Sequence, residues 1–477
     1  MNNSQISIRI KRLAQMMSLL EENSFKIRSF EKAARIVSDH AEDMGVLVDE
    51  DRLKDVPGIG KTLAYVIMYY AKAGTVGLEQ ELEAQLPVGL PDLLDLPGLG
   101  MKKVQLLRQK FDITNIEALK QACEANTLAE MKGYGPKLQS KLLEAITFRA
   151  KHARDFYLDI ALSVAQNWME KLTPLRSISQ IELTGKLRRG SELIQSVELL
   201  VEADTSELIS ELNDQFGCGL SASNPLVIKD KSGLPIQIWT CKSETFAVEQ
   251  LIRTGGEVYA EQLQSLYGTD LESAIQTLAG VKLSANATEN DLCGSIGIQW
   301  IEPELRDSYT RFPENIKLLK QSDIKGVFHA HSTWSDGRNA LEELAEATRN
   351  LGYEYLGISE HSQAAYYANG LKPDRVKSQW EVIDQLNSEY SDFHIFKGIE
   401  ADILKDGSLD YDDELLANFD FVIASIHSHF HLDPVQQTDR IVRALQSPFT
   451  TILGHPTGRM LMARPGYNPD LTTIIDA

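Results

Sequence analysis

The sequence predicts a multidomain chain with an all-α first third, an α+β middle and a β/α last part. Three observations lead there. At 477 residues the chain is too long for one ordinary domain, and a prior of about 150 residues per domain suggests roughly three. Apolar residues recur at steps of three and four through the first 150 positions, then give way near residue 156 to short β-branched runs bounded by turn residues. After residue 325, strand-like and helical runs alternate, which argues for a parallel β/α barrel or sheet.

Charge narrows the function classes. The formal charge is −20, from 48 Lys+Arg against 68 Asp+Glu, yet residues 1–150 hold 20 of each sign. A neutral first third before an acidic body excludes a nucleic-acid binder that works by bulk positive charge, but not one that holds phosphates on backbone amides. Cys123, Cys218, Cys241 and Cys293 lie far apart with no CxxC pair, so neither a disulfide framework nor a cysteine zinc knuckle is expected. No apolar run reaches the ~18 residues of a membrane span, and the N-terminus lacks the apolar core of a signal peptide. A cytoplasmic, nucleoid-associated protein is expected.

In the first third, Ile10, Leu13, Met17 and Leu20, and later Leu63, Val66, Ile67 and Tyr70, mark helical faces. Glycines cluster in three similar turns, each before an amphipathic pattern: Val56-Pro57-Gly58-Ile59-Gly60, Leu96-Pro97-Gly98-Leu99-Gly100 and Met131-Lys132-Gly133-Tyr134-Gly135. Such a turn bends tightly and ends in a row of N–H groups at a helix N-terminus, where a phosphate fits without reference to base sequence. One copy is often ordinary helix punctuation; three are harder to dismiss. Lys61, Lys102, Lys103 and Lys137 add positive charge there. These turns resemble helix-hairpin-helix motifs, which implies DNA contacts at Gly58, Gly60, Lys61, Gly98, Gly100, Lys102, Gly133, Gly135 and Lys137.

In the middle part, Ile181–Leu183, Val197–Val201 and Ile236–Trp239 read as strands. The stretch Thr184-Gly185-Lys186-Leu187-Arg188-Arg189 to Val201 resembles the palm signature of family X DNA polymerases, in which three aspartates hold two Mg²⁺ ions. Here those positions are Ser196, Glu198 and Gln237. Mg²⁺ requires hard oxygen ligands in near-octahedral geometry, so a palm Mg²⁺ is doubtful and nucleotidyl transfer is expected to be lost or very weak. The resemblance implies weak nucleotide contacts at Gly185, Arg188, Arg189, Thr254 and Gly255, with a solvated arginine pair as the bland alternative. Val66 stands where lyase-active relatives carry the Schiff-base lysine, so lyase activity is not expected.

Eight of the ten histidines follow residue 328. They group as His329-Ala330-His331 with Asp336, Glu360-His361, Ile426-His427-Ser428-His429 and Gly454-His455-Pro456, with Gly398-Ile399-Glu400 between. Each group follows a strand-like run: Gly326–Phe328, Tyr355–Ile358, His394–Phe396, Phe421–Ala424 and Thr451–Leu453. Parallel strands place their carboxyl ends on one face, and imidazole with carboxylate is a donor set for Zn²⁺, Mn²⁺ or Fe²⁺. The groups resemble the motifs of the polymerase-and-histidinol-phosphatase (PHP) domain. The resemblance implies metal ligands at His329, His331, Asp336, His361, Glu400, His427 and His455, and puts Glu360 outside the ligand shell. His394, His429 and His431 have no counterpart. The PHP family's final Asp-x-His motif does not occur before Ala477, so the β/α barrel is expected to be incomplete at the C-terminus.

Taken together, and with the linker Trp300–Arg306, the chain resembles bacterial family X DNA polymerases of the PHP-containing type. The implied division is an N-terminal helical domain with the first hairpin (1–82), a fingers-like helix-hairpin-helix domain (83–152), a degenerate palm and thumb (153–312) and a truncated PHP domain (325–477). The implied function is DNA repair with metal-dependent 3′–5′ exonuclease-like hydrolysis on gapped, nicked or 3′-ended DNA. An active gap-repair polymerase, an inactive DNA-binding scaffold and a small-phosphomonoester phosphatase are the alternatives. Oligomeric state is not legible.

Overall fold

A computed structural model describes the chain except residues 2, 41, 130–132, 268–272, 274, 275, 279, 282–286 and 309–316. Met131 and Lys132 of the third glycine turn lie outside the described residues. Two compact units result: Met1–Ala150 with Lys320–Ala477, and Lys151–Leu319.

Residues 1–150 are helical, as their spacing predicts. Helix Asn3–Leu19 buries Ile6, Ile10, Leu13 and Met17 along one stripe, and a single apolar core runs on from there to Ile146. The first glycine of each turn takes a left-handed backbone, with φ of +92° at Gly58, +83° at Gly98 and +91° at Gly133. The second glycine caps the following helix: Gly60 before Lys61–Ala73 and Gly100 before Met101–Phe111, both extended. A Cβ on Gly60, Gly100 or Gly135 would meet nothing within 4 Å. The helix N-termini are therefore open to an incoming group. Tyr134 is fully buried, and its hydroxyl donates to Lys103 O at 2.8 Å, tying the third turn to the helix of the second.

The unit Lys151–Leu319 is built on a four-stranded sheet ordered β2-β4-β6-β5, with β2 Gln180–Thr184, β4 Val197–Glu202, β5 Leu226–Lys229 and β6 Pro235–Cys241. A two-stranded pair, β1 Phe156–Tyr157 and β3 Leu193–Ile194, lies apart from it. β4 and β6 run parallel and the outer pairings are antiparallel. The helix Leu158–Leu172 packs its apolar stripe (Ala161, Ala165, Trp168, Leu172) into the same core as the sheet.

From residue 326 five parallel strands follow in spatial order β11-β10-β9-β8-β7, so each pairs with its neighbours in sequence. They are β7 Gly326–Ala330, β8 Tyr355–His361, β9 His394–Asp402, β10 Phe421–Ser425 and β11 Ile452–Leu453. Helices Leu341–Asn350, Pro373–Glu389 and Pro434–Leu445 lie between strands in sequence. β10 is buried throughout, and β8 and β9 are buried at their carboxyl halves, as central strands of a parallel sheet must be.

Candidate metal centre

All five strands are parallel, so their carboxyl ends share one edge, and five of the seven predicted ligands meet there on the sixth. Glu400 is the hub. Its carboxylate is 1% exposed and has five imidazoles around it. Oε1 lies 3.0 Å from His329 Nε2, 3.2 Å from His427 Nε2 and 3.0 Å from His455 Nε2. Oε2 lies 2.9 Å from His361 Nδ1 and 3.6 Å from His331 Nε2. Asp336, half-exposed, stands at the rim 3.8 Å from His331 and 3.7 Å from His361. The convergence is local in origin, because β-register sets His361 opposite Glu400 and Glu400 opposite Ile423.

Two of the histidines reach the cluster through unusual backbone. His329 sits at φ +64° beside a register shift between Val327 and Ala330, and His455 at φ +23°. A left-handed backbone at a non-glycine residue costs on the order of 1–3 kcal/mol and persists only where the surroundings enforce it.

The cluster carries buried polar atoms that protein contacts leave unpaired. His331 Nδ1, His361 Nδ1 and Glu400 Oε2 are buried without a hydrogen-bond partner. His361 Nδ1 and Glu400 Oε2 are only 2.9 Å apart, yet they are not aligned as donor and acceptor. Close ligand atoms that face a common point rather than each other fit a shared cation. Two overlapping groups have ligand atoms mutually within 4.8 Å: His329, Glu400 and His455, and His331, His361 and Glu400. The residues therefore fit a pair of divalent ions that share one carboxylate.

Electrostatics agree. Burial alone would raise the Glu400 carboxyl, but the imidazoles of His329, His361, His427 and His455 around it outweigh that and hold the group ionised, far below the usual carboxylate range. Burial, with His361 alongside, pushes His331 down to about 4, leaving it neutral as a ligand must be. Burial opposes the charge on His427 too, yet Asp402 and Glu400 raise it to about 9.

Asp402 is the residue the sequence reasoning missed. It is buried on β9 two positions after Glu400, so both side chains leave the same face of the strand. Its Oδ1 lies 2.5 Å from His427 Nδ1, which orients the ring so that Nε2 meets Glu400. The Glu-x-Asp spacing on a strand was the signal that could have shown it. Glu360 is fully buried away from the cluster and holds the loop after β7 instead, accepting from the backbone N–H and hydroxyl of both Ser332 and Ser335 and from Gln379. His394 opens β9 on an exposed position, and His429 and His431 are exposed in the loop after β10.

The other predicted sites look different. Glu198 pairs in register with Gln237 on β6 and with Thr184 on β2. Its half-buried side chain lies against Gly185, where a Cβ would come within 2.4 Å of the carboxylate. Burial raises its pKa although Arg189, Arg253 and Lys186 pull the other way. The arginine pair is not solvated, which corrects the bland alternative. Arg188 donates to Thr254 Oγ1 at 2.7 Å and to Glu289 at 2.6 Å, and fully buried Arg306 meets the other Glu289 oxygen at 2.9 Å. Arg189 reaches Thr254 O at 3.1 Å, Gly255 O at 3.3 Å and Asp307 at 2.9 Å. A triphosphate would have to displace these partners. At the glycine turns Lys61, Lys102 and Lys137 are exposed, whereas Lys103 is folded back onto Gly98 O at 2.8 Å. Among the described residues no helix is long and apolar enough to cross a membrane, and all four cysteines are free.

Known proteins give the same picture. A helix-hairpin-helix domain family matches residues 1–76, and a SAM-like helix-hairpin-helix tandem family matches residues 90–147. The DNA polymerase/3′-5′ exonuclease PolX of Bacillus subtilis (strain 168) is 32% identical over 500 aligned positions, covering 100% of this chain and 85% of that protein. A "Probable phosphatase" of Acetivibrio thermocellus is 28% identical over 159 positions, 31% of this chain and 55% of that protein. Another, of Thermoanaerobacter sp. (strain X514), is 28% identical over 146 positions, 27% of this chain and 57% of that protein. With this full-length relationship, the chain belongs to the bacterial PolX family, the family X DNA polymerases that carry a PHP domain.

Proposed function

We propose that this protein binds DNA through its glycine turns and hydrolyses phosphodiesters at the Glu400 cluster as a 3′–5′ exonuclease-like repair enzyme, with polymerase and lyase activity lost or very weak. In this reading residues 1–82 and 83–152 are the DNA-binding helical domains, 153–312 a degenerate palm and thumb, and 325–477 a PHP domain. The observation that carries it is the contrast between two acidic centres: five imidazoles around one buried carboxylate at Glu400, against Ser196, Glu198 and Gln237 in the middle unit.

His329 and His455 with Glu400 would hold one ion, and His331 and His361 with Glu400 a second, with Asp336 at the rim of the latter. Imidazole and carboxylate donors suit Mn²⁺, Zn²⁺ or Fe²⁺. When bound, such ions activate water and polarise a phosphoryl oxygen. The chain's own part is positional. Asp402 takes the Nδ1–H of His427 and leaves Nε2 turned to the cluster, while Glu360 fixes the loop that carries His331 and Asp336. The open helix N-termini at Gly60, Gly100 and Gly135 receive backbone phosphates without reading bases, which suits gapped, nicked or 3′-ended DNA. Four unpaired thiols suit a reducing cytoplasm beside the nucleoid.

The test is paired. The Mn²⁺-loaded protein is given 5′-labelled single-stranded DNA, and separately gapped DNA with nucleotides. Stepwise shortening that His361→Ala abolishes, without templated extension, is expected; robust templated synthesis without hydrolysis would overturn the proposal. Fewer than one tightly bound transition metal per chain would favour the scaffold.

A further inference from the structure

The loop after β8 carries a feature that the metal cluster does not use. Its sequence, Ala364-Ala365-Tyr366-Tyr367-Ala368, turns its small residues inward and both tyrosines outward. Ala365 and Ala368 are 0% and 3% exposed, whereas Tyr366 is 86% and Tyr367 63% exposed. Single exposed aromatics are common. Two adjacent rings beside a polar centre are not explained by packing, since the fold gains nothing by leaving them in water.

Their position is specific. The Tyr367 ring centroid lies 6.4 Å from that of His361, and the Tyr366 ring stands edge-on to Tyr367 at 6.1 Å and 78°. The loop beneath them is held firmly. Leu371 N donates to His361 O at 2.8 Å, Gly370 N to Ala365 O at 3.1 Å, and Ala364 N to the Asp410 carboxylate at 2.9 Å. A Cβ on Gly370 would come within 1.9 Å of Ser362 O, so the loop admits no side chain there. Asn369, at φ +56°, donates to Trp334 O at 3.1 Å, linking the loop to the segment that carries Asp336. The rings therefore sit on a rigid support at the rim of the cluster.

We propose that Tyr366 and Tyr367 form a stacking platform for the unpaired bases at the 3′ end of a single-stranded DNA held at the cluster. The proposal rests on the hydrolytic function above and names its substrate. A phosphodiester placed at the Glu400 cluster brings the base of an adjoining nucleotide within reach of these rings. Aromatic faces bind bases of any sequence, because every base presents a π-face. Unpaired bases, unlike those inside a duplex, have free faces, so the platform selects frayed or single-stranded ends.

The test uses the full Mn²⁺-loaded chain and a short single-stranded oligonucleotide ending in 3′-terminal 2-aminopurine or in an abasic residue, its 3′ linkages made phosphorothioate for the binding step so that no substrate is consumed. Stacking changes the 2-aminopurine fluorescence on binding, and the abasic end is expected to bind about tenfold more weakly. Tyr366→Ala with Tyr367→Ala removes both effects; Tyr366→Phe with Tyr367→Phe keeps both. The tyrosines are exposed, and circular dichroism checks the fold. The proposal is overturned if the alanine pair keeps the fluorescence change and the discrimination, or if the unsubstituted protein shows neither. It also fails if the alanine pair alters only the oligomeric state in sedimentation, which would mark a protein contact. Stacking without any Mn²⁺-dependent shortening of the same oligonucleotide with ordinary linkages would sink the hydrolytic function and leave the platform standing.

Discussion

Replacing Glu400 with glutamine tests the centre at its hub. The substitution keeps size and removes one negative charge from a carboxylate with four imidazole nitrogens within 3.2 Å. In the metal-free protein it breaks a buried pairing with protonated His427. Loss of one partner of a buried pair costs about 3–5 kcal/mol, and because Asp402 still faces His427 the lower end, about 3 kcal/mol, is expected. The effect on metal is larger and has a signature. Glu400 is the only carboxylate of both ligand groups, so both ions lose a ligand at once, and each affinity should fall by more than the ~10–100-fold typical of losing an outer hydrogen-bond partner. Inductively coupled plasma measurement of the purified protein should show metal content falling from two per chain to near zero in one step. His455→Ala, at a position belonging to one group alone and 43% exposed, should remove a single ion. The stabilisation that metal gives, about 4 kcal/mol for each ion at a concentration 1,000 times Kd, should vanish with Glu400→Gln and be halved with His455→Ala, read as the shift in melting temperature. Retention of two ions by Glu400→Gln, or loss of only one, would refute a shared carboxylate.

Four further outcomes are expected. Asp402→Asn frees the His427 ring to turn and should weaken metal binding by about 10–100-fold, read by competition with a chromogenic chelator, with little change in the circular dichroism spectrum. Because His427 is raised to about 9 in the metal-free fold, it is protonated at pH 7, and that charge stabilises the metal-free fold fully below about 6.5 and is lost as pH rises through about 9. A cation at Glu400, 3.2 Å from His427 Nε2, opposes this charge, so affinity should rise between pH 6 and 9, and calorimetry in two buffers should report proton release; a flat profile would refute it. Substituting Lys61, Lys102 and Lys137 together with alanine should lower the slope of log affinity against log salt for single-stranded DNA by about 2, at ~0.7 for each phosphate no longer neutralised. Restoring aspartate at Ser196, Glu198 and Gln237 should not bring back primer extension, because Arg188 and Arg189 remain tied to Glu289 and Asp307; robust synthesis would show that only the carboxylates were missing.

The centre was legible because parallel strands convert sequence order into spatial neighbourhood. A histidine or glutamate at the end of each strand-like run needs only the sheet's parallel sense to be brought to one edge, and the alternation of runs after residue 325 supplied that sense. Asp402 was not singled out because its function is carried by His427, which is remote in sequence and known only once β9 and β10 are in register. Glu360 accepts from four donors of the loop after β7 and from Gln379, contacts that depend on backbone N–H directions that no residue pattern encodes. The left-handed backbone at His329 and His455 had no glycine or asparagine to mark it. In the middle unit the short edge strand Leu226–Lys229 lacked a distinct boundary, and the Arg188–Glu289–Arg306 chain joins residues more than a hundred positions apart.

That last network sets the middle unit apart from the Glu400 cluster. A site built for cations carries negative charge and lone pairs whose partner is the ion, so the protein alone leaves them poorly matched. At Glu400 this mismatch persists: the nearby basic groups are all imidazoles, and three buried ligand atoms lack hydrogen bonds. In the middle unit most of the charge is paired within the chain, although Arg189 Nε and Arg306 Nη2 are buried without a hydrogen-bond partner. Glu289 has a guanidinium on each oxygen, Arg189 is bound to two backbone carbonyls, and two of the three acidic metal positions are uncharged. An internal ion pair of this kind is costly to open once formed, since breaking a buried pair by displacing one partner exposes the other. On the proposed function, the middle unit would hold its charge without metal or nucleotide, while the β/α part keeps a donor set that fits bound cations. The pairing of charge within the chain, more than the count of acids, distinguishes these two groups of residues.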